Sequence, residues 1–261
     1  MKDQPSTFKS SRAWETLAQV YAGSRLVSAD KLIEWPAQRA LVGHFRGKSI
    51  LDVGCGTGEK ARYFADEGAS SVIGVDASGG FAENWAKHAK CSNLELVQGS
   101  FDDLTSLPNI EGKAFDLIVS FQALMYARDL VNTIKVIANL LVDGGAFVFS
   151  VPHPFRFAIL RNEIESCGHG FGYQQTEPYR YPSPWKADVF LEHPTPRISD
   201  YLNAITSAGL RLTECEEPCA TQEFREIAPE KAEWMDRYVG IILFRANKNG
   251  WRGTRGINSH A

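Results

Sequence analysis

Five short apolar runs set the rhythm of the first 150 residues. Residues 49–53, 72–76, 94–98, 115–120 and 147–151 are dominated by Leu, Ile, Val and Phe, and the segments between them are longer and more polar. Near-continuous apolar runs of this length read as strands buried on both faces. The intervening segments are long enough for crossover helices, which predicts a parallel sheet with right-handed connections. Ahead of the first strand, residues 12–21 place Trp14, Leu17, Ala18 and Tyr21 at helical spacing, and a second helical piece surrounds residues 31–45, where Pro36 is tolerable in a first turn. The first ten residues are polar and expected to be loose. A helix over 129–141 ends at Asp143-Gly144-Gly145, which turns the chain into the fifth strand. Two further strands are expected at 210–216 and 238–246, followed by a mobile tail from Lys248.

The first run continues as Asp52-Val53-Gly54-Cys55-Gly56-Thr57-Gly58, an acid followed by three alternating glycines. Glycine permits a tight turn with positive φ and lets backbone lie against a bulky ligand, and it costs backbone entropy that folding alone does not repay. A Walker loop needs Gly-Lys followed by Ser or Thr, whereas Lys60 here lies between Glu59 and Ala61. A dinucleotide fold spaces its glycines differently and leaves a helix N-terminus open for a pyrophosphate, which the nearby carboxylate of Asp52 would repel. Asp52 matches a cation, such as the ammonium on the methionine moiety of S-adenosylmethionine. Downstream, Val72-Ile73-Gly74-Val75 ends in Asp76. A carboxylate at the end of the second strand of an α/β unit accepts hydrogen bonds from ribose hydroxyls, although Asp76 also suits a helix N-cap.

These two segments together resemble the first and second motifs of the class I S-adenosylmethionine-dependent methyltransferases, and the resemblance covers roughly residues 45 to 155. Residues 94–104 look like that family's third strand and adenine loop, with Ser100 where an acid is common and the Phe101 amide available to the ring edge. Residues 115–126 look like its fourth strand and covering loop, with Met125 and Tyr126 where many relatives carry histidine. The resemblance implies a Rossmann-like α/β fold with seven mostly parallel strands, the last inserted antiparallel. It implies S-adenosylmethionine as cofactor, held by Tyr21, Asp52, Gly54, Gly56, Gly58, Asp76, Ala77, Ser100, Phe101 and Ser120. One domain is expected: a helical cap (1–45), a cofactor core (46–151), a lid (152–196), the rest of the core (197–246) and a tail (247–261).

The lid stretch is long for a connection, and connections above about 15 residues in compact domains are usually functional. It concentrates aromatic and basic groups, among them Arg161, Tyr173, Tyr179 and Trp185. His153 stands just past the fifth strand, on the side where open α/β sheets bind ligands, and is the candidate general base. The competing reading is a histidine that satisfies a neighbouring backbone group.

Composition narrows the partners. The 261 residues carry a net charge of −3, with basic residues scattered along the chain, so a nucleic-acid substrate is not expected. No apolar run reaches the roughly 18 residues of a membrane span, and the polar start has no signal-peptide core. A cytoplasmic protein acting on a small molecule is the expectation. The five cysteines are unevenly spaced and read as free thiols, and Cys215 with Cys219 has no second pair to complete a metal site. The expected reaction is methylation at O, N or C of a metabolite. Its rivals are a cyclase that closes the cofactor's own chain into azetidine-2-carboxylate and releases methylthioadenosine, a non-catalytic cofactor sensor, and an NAD-linked oxidoreductase.

Overall fold

The computed structural model describes residues 7–23, 30–87, 91–156, 158, 172–174, 176, 178–237 and 240–249. Phe157, Arg161, Cys167, His169 and Phe171 of the lid lie outside these residues, as does the tail from residue 250.

Helix α1 spans Thr7–Gly23, so residues expected to be loose already belong to it. A π-helical turn (Asp30–Glu34) leads into α2 (Trp35–Val42), whose second residue is Pro36. Proline is accepted there because a first-turn N–H has no intrahelical acceptor. Strand β1 (Ser49–Val53), α3 (Glu59–Asp66), β2 (Ser71–Asp76), the short α4 (Ala82–Ala86) and β3 (Leu94–Gln98) then alternate. Between β3 and β4 (Phe115–Phe121) the crossover is only a 3-10 segment, Phe101–Ser106, and the expected helix is missing. Ser100 caps this segment by accepting from the Asp102 N–H, and Asp103 leaves helical geometry inside it. Helix α5 (Leu130–Leu140) opens on Asp129, whose carboxylate accepts from the Asn132 N–H at 3.0 Å. It leads into β5 (Leu141–Pro152).

The sheet order is β3-β2-β1-β4-β5-β9-β8, with β8 at Leu210–Glu216 and β9 at Ile241–Lys248. The β1, β2, β3, β4 and β5 pairings are parallel, and β9 runs antiparallel between β5 and β8, as the resemblance implied. Strand alternation divides the core. Leu51, Ile118, Phe147 and Phe149 face α5 and α6 (Ile198–Ser207), while Ile50, Leu117, Val119 and Val148 face α2 and α3. The lid carries its own antiparallel hairpin, β6 (Tyr179–Pro182) with β7 (Phe190–His193), and α1 packs on β7. Helices α7 (Gln222–Ile227) and α8 (Pro229–Arg237) gather with the π-helical turn around Ile33 and Phe224. Sheet order reverses between β1 and β4, which opens a crevice at their carboxyl ends.

Candidate active site

The glycine bend closes this crevice. Gly54, Gly56 and Gly58 all have positive φ (80°, 52° and 78°). The N–H groups of Gly54 and Cys55 donate to the Val75 carbonyl at 2.7 and 3.0 Å, tying the bend to the end of β2. A Cβ built on Gly54 would lie 2.3 Å from the Cβ of Ala123, so the loops after β1 and β4 meet with no room for a side chain.

Asp76 organises the other wall. Its two oxygens accept from the N–H groups of Gly56 (2.8 Å) and Ser78 (2.9 Å). Burial raises its pKa, and these two donors pull the other way. The N-cap role falls to Ser78, whose hydroxyl accepts from the Gly80 N–H. Asp52 is buried on the α3 side, and burial pushes its carboxyl up to about 7, opposed by Lys60 and reinforced by Asp76. A buried and a half-buried acid at one bend suit a ligand that supplies positive charge and hydroxyl donors. A carboxylate has about four acceptor sites, so Asp76 retains capacity for ribose hydroxyls beyond its two backbone donors. The Trp85 indole donates to the Gly56 carbonyl at 2.8 Å and fixes the bend from outside.

The N-terminal helix completes the enclosure. Glu15 accepts from the Gly79 N–H at 2.7 Å, and Gln19 donates to the Gly80 carbonyl at 3.1 Å. Tyr21 lies edge-on to Trp14 (5.4 Å) and to Trp185 of the lid (4.9 Å), and Trp14 also meets Phe81 and Tyr126. Cap, cofactor loops and lid therefore share one aromatic wall. Ala77 sits in the turn after β2, where its carbonyl accepts from Gln98 at 3.3 Å, and Phe101 packs partly against the α5 side of the core.

Two of the expected site residues make structural hydrogen bonds. Ser120 is fully buried and donates to the Val53 carbonyl at 2.8 Å, so it clips β4 to β1. Ser120→Ala is expected to lower stability by about 1 kcal/mol while leaving S-adenosylhomocysteine affinity within about twofold, measured by thermal unfolding and calorimetry. His153 is also enclosed. Its Nδ1 accepts from the Phe155 N–H (3.2 Å), which places the ring proton on Nε2, and Nε2 donates to Glu217 (2.9 Å). Burial lowers its pKa, against the hydrogen bond and charge of Glu217. In this arrangement neither nitrogen is available to abstract a proton, and the histidine bridges β5 to the segment after β8. Among the lid residues, Tyr173 accepts from the Ile198 N–H at 3.0 Å and supports α6, whereas Trp185 reaches the aromatic wall.

A parallel sheet reversing at β1 and β4, with a glycine bend and paired acids at that point, defines a Rossmann-like methyltransferase core. A sequence profile described as a methyltransferase domain matches residues 51–149. An uncharacterized protein of Haemophilus influenzae is 32% identical over 133 residues, covering 49% of this chain and 51% of its own. A ubiquinone biosynthesis O-methyltransferase of Neisseria meningitidis is 31% identical over 110 residues, covering 41% and 46%. The chain thus spans about half the length of the curated relatives it matches. The structure of an S-adenosylmethionine dependent methyltransferase from Mesorhizobium loti aligns with a TM-score of 0.65 and 26% identity, over 82% of this chain and 97% of that one. Residues 51–149 thus match a methyltransferase domain, and the chain shares the fold of S-adenosylmethionine-dependent methyltransferases, whose cofactor is S-adenosylmethionine.

Proposed function

We propose that the protein transfers a methyl group from S-adenosylmethionine to an oxygen, nitrogen or carbon atom of a small metabolite. The observation that carries this reading is the junction of the acid-flanked glycine bend with an aromatic wall built from α1, the loop after β4 and the lid. When bound, the cofactor supplies an electrophilic methyl carbon on a sulfonium. The chain's own contribution is binding and exclusion. Asp52 faces the ammonium, Asp76 takes the ribose hydroxyls, and the bend of Gly54, Gly56 and Gly58 lets backbone approach the ligand. Ala77, Ser100 and Phe101 border the adenosine end, and Tyr21 closes the methionine end. The wall of Trp14, Tyr21, Tyr126 and Trp185 keeps water from a reaction that disperses charge. The half-length similarity to an O-methyltransferase supports an oxygen acceptor.

Calorimetry with S-adenosylmethionine and S-adenosylhomocysteine is expected to show one site. Mass spectrometry should find S-adenosylhomocysteine forming only when an acceptor is present. Absence of binding would remove the reading, and methylthioadenosine released from cofactor alone would replace transfer by cyclisation.

A further inference from the structure

A chain of hydrogen bonds runs from the N-terminal helix through the loop after β4 into the lid hairpin. His193 is fully buried at the end of β7. Its Nδ1 faces the Pro194 carbonyl at 2.7 Å, and its Nε2 faces the Tyr181 hydroxyl at 3.2 Å. A carbonyl only accepts, so Nδ1 carries the ring proton and Nε2 takes the proton of Tyr181. Tyr181 also shares a hydrogen bond with Tyr126, and with its own proton committed to His193 it receives that bond. The Trp14 indole, a donor only, also bonds Tyr126. Every proton in the series points the same way, from Trp14 through Tyr126 and Tyr181 to His193.

The near end of this series lies at the cofactor bed. Tyr126 is three residues beyond Ala123, the residue that abuts Gly54, and its ring lies 6.3 Å from Trp14. Trp14 in turn meets Phe81, whose Cζ is 3.9 Å from where a Gly56 side chain would begin. The far end is a basic nitrogen, which His153 does not offer.

Resting on methyl transfer as the reaction, we propose that Tyr126, Tyr181 and His193 form a proton relay that deprotonates a hydroxyl acceptor, making the substrate a phenol- or enol-type alcohol. The steps balance. The acceptor O–H bond breaks as its oxygen forms a bond to the methyl carbon and the S–CH₃ bond breaks. The proton enters at the Tyr126 oxygen, the Tyr126 proton moves to Tyr181, and the Tyr181 proton moves to Nε2 of His193. The positive charge lost from sulfonium ends on the imidazolium, whose Nδ1–H stays on the Pro194 carbonyl. Tyr126 is the group that touches the acceptor, and Tyr181 and His193 act through it.

Among the described residues, the charged and titratable groups around the relay include Tyr179 of β6, across from His193, Tyr21 of α1 beside Tyr126, Glu192 next in chain to His193, and Arg156, which acts on Tyr181. The polar tip of Arg156 favours the tyrosinate that a passing proton leaves behind. Burial raises the pKa of both Tyr126 and Tyr181, so neither rests as an anion, and the imidazole is the terminal base.

Two measurements test the relay. In the cofactor-free protein, long-range ¹H–¹⁵N spectra of the imidazoles are expected to show His193 protonated at Nδ1, with Nε2 shifting in Tyr181→Phe. A His193 protonated at Nε2 overturns the proposal, because such a ring cannot accept the Tyr181 proton. In turnover, a panel of phenols, enols, amines and carboxylates is offered with S-adenosylmethionine. Methylation of hydroxyl compounds is expected, with kcat about 100-fold lower in Tyr181→Phe and in His193→Gln, and with the acidic limb of the pH profile lost in the latter. Unchanged S-adenosylhomocysteine affinity in both variants shows that the fold survives. Variants that keep kcat and the pH profile, or turnover confined to amines or carboxylates, overturn the relay alone. Failure to bind S-adenosylmethionine overturns the functional reading instead.

Discussion

Alanine at position 56 is expected to leave the protein folded and to weaken S-adenosylhomocysteine binding about 100-fold, about 2.7 kcal/mol. Alanine at position 54 is expected to damage the fold itself. The difference lies in where each new Cβ would go. At Gly54 it would sit 2.3 Å from the Ala123 Cβ, on a backbone with φ of 80°. Two loops would have to part, and a forced left-handed residue adds about 1–2 kcal/mol to an overpacking cost of about 1–3 kcal/mol. At Gly56 the nearest atom is the Phe81 Cζ at 3.9 Å, ordinary van der Waals contact, and φ is 52°, so only the left-handed term of about 1 kcal/mol applies. In the proposed reading, the space the Gly56 methyl would fill is the surface that receives the cofactor. Thermal unfolding and calorimetry on the two variants separate the effects. A Gly56→Ala protein that binds as tightly as the parent would show that the bend is structural and the ligand lies elsewhere.

This contrast shows which parts of the site sequence alone conveys. Buried parallel strands need both faces apolar, so β1 to β5 stand out as continuous hydrophobic runs, and the acid-glycine pattern is local enough to read without a fold. The crossover after β3 was less legible, because Pro108 and Gly112 interrupt a segment long enough for a helix and Ser100 caps a 3-10 turn in its place. Side-chain roles that depend on distant partners were hidden. His153 sits where a base belongs, yet its fate is decided by Glu217, 64 residues away. Ser120 is the penultimate residue of β4, and only the position of the Val53 carbonyl shows that its hydroxyl points to the neighbouring strand. The series Trp14, Tyr126, Tyr181 and His193 has no sequence spacing to detect, because four separate segments converge on it.

Asp52→Asn is expected to change how stability depends on pH. In the folded, cofactor-free protein the Asp52 carboxyl titrates at about 7, against 3.8 for an exposed group, because burial disfavours its charge. Between those values the folded chain holds a proton that the unfolded chain has released, so stability falls as pH rises from about 4 to about 7 and levels off above. Protonated Asp52 contributes fully below 3.8, and on the order of 4 kcal/mol is lost across the window. Asp76 shifts in the same direction and remains in the variant, so the difference between parent and Asp52→Asn reports Asp52 together with its coupling to Asp76. Asp116 and Asp200, whose pKa values are lowered by hydrogen bonds from Ser49 and Arg197, act in the opposite sense below this window. Denaturant unfolding is therefore expected to show a much larger loss of stability from pH 5 to pH 8 in the parent than in Asp52→Asn. Ligand affinity carries the reverse sign. An ammonium pairs with the ionised carboxylate, so binding releases the Asp52 proton, and S-adenosylhomocysteine affinity in the parent rises with pH up to about 7. The asparagine variant binds more weakly at every pH and loses that rise. Equal pH slopes in the two proteins, for both unfolding and binding, would remove Asp52 from the cation site and leave its burial unexplained.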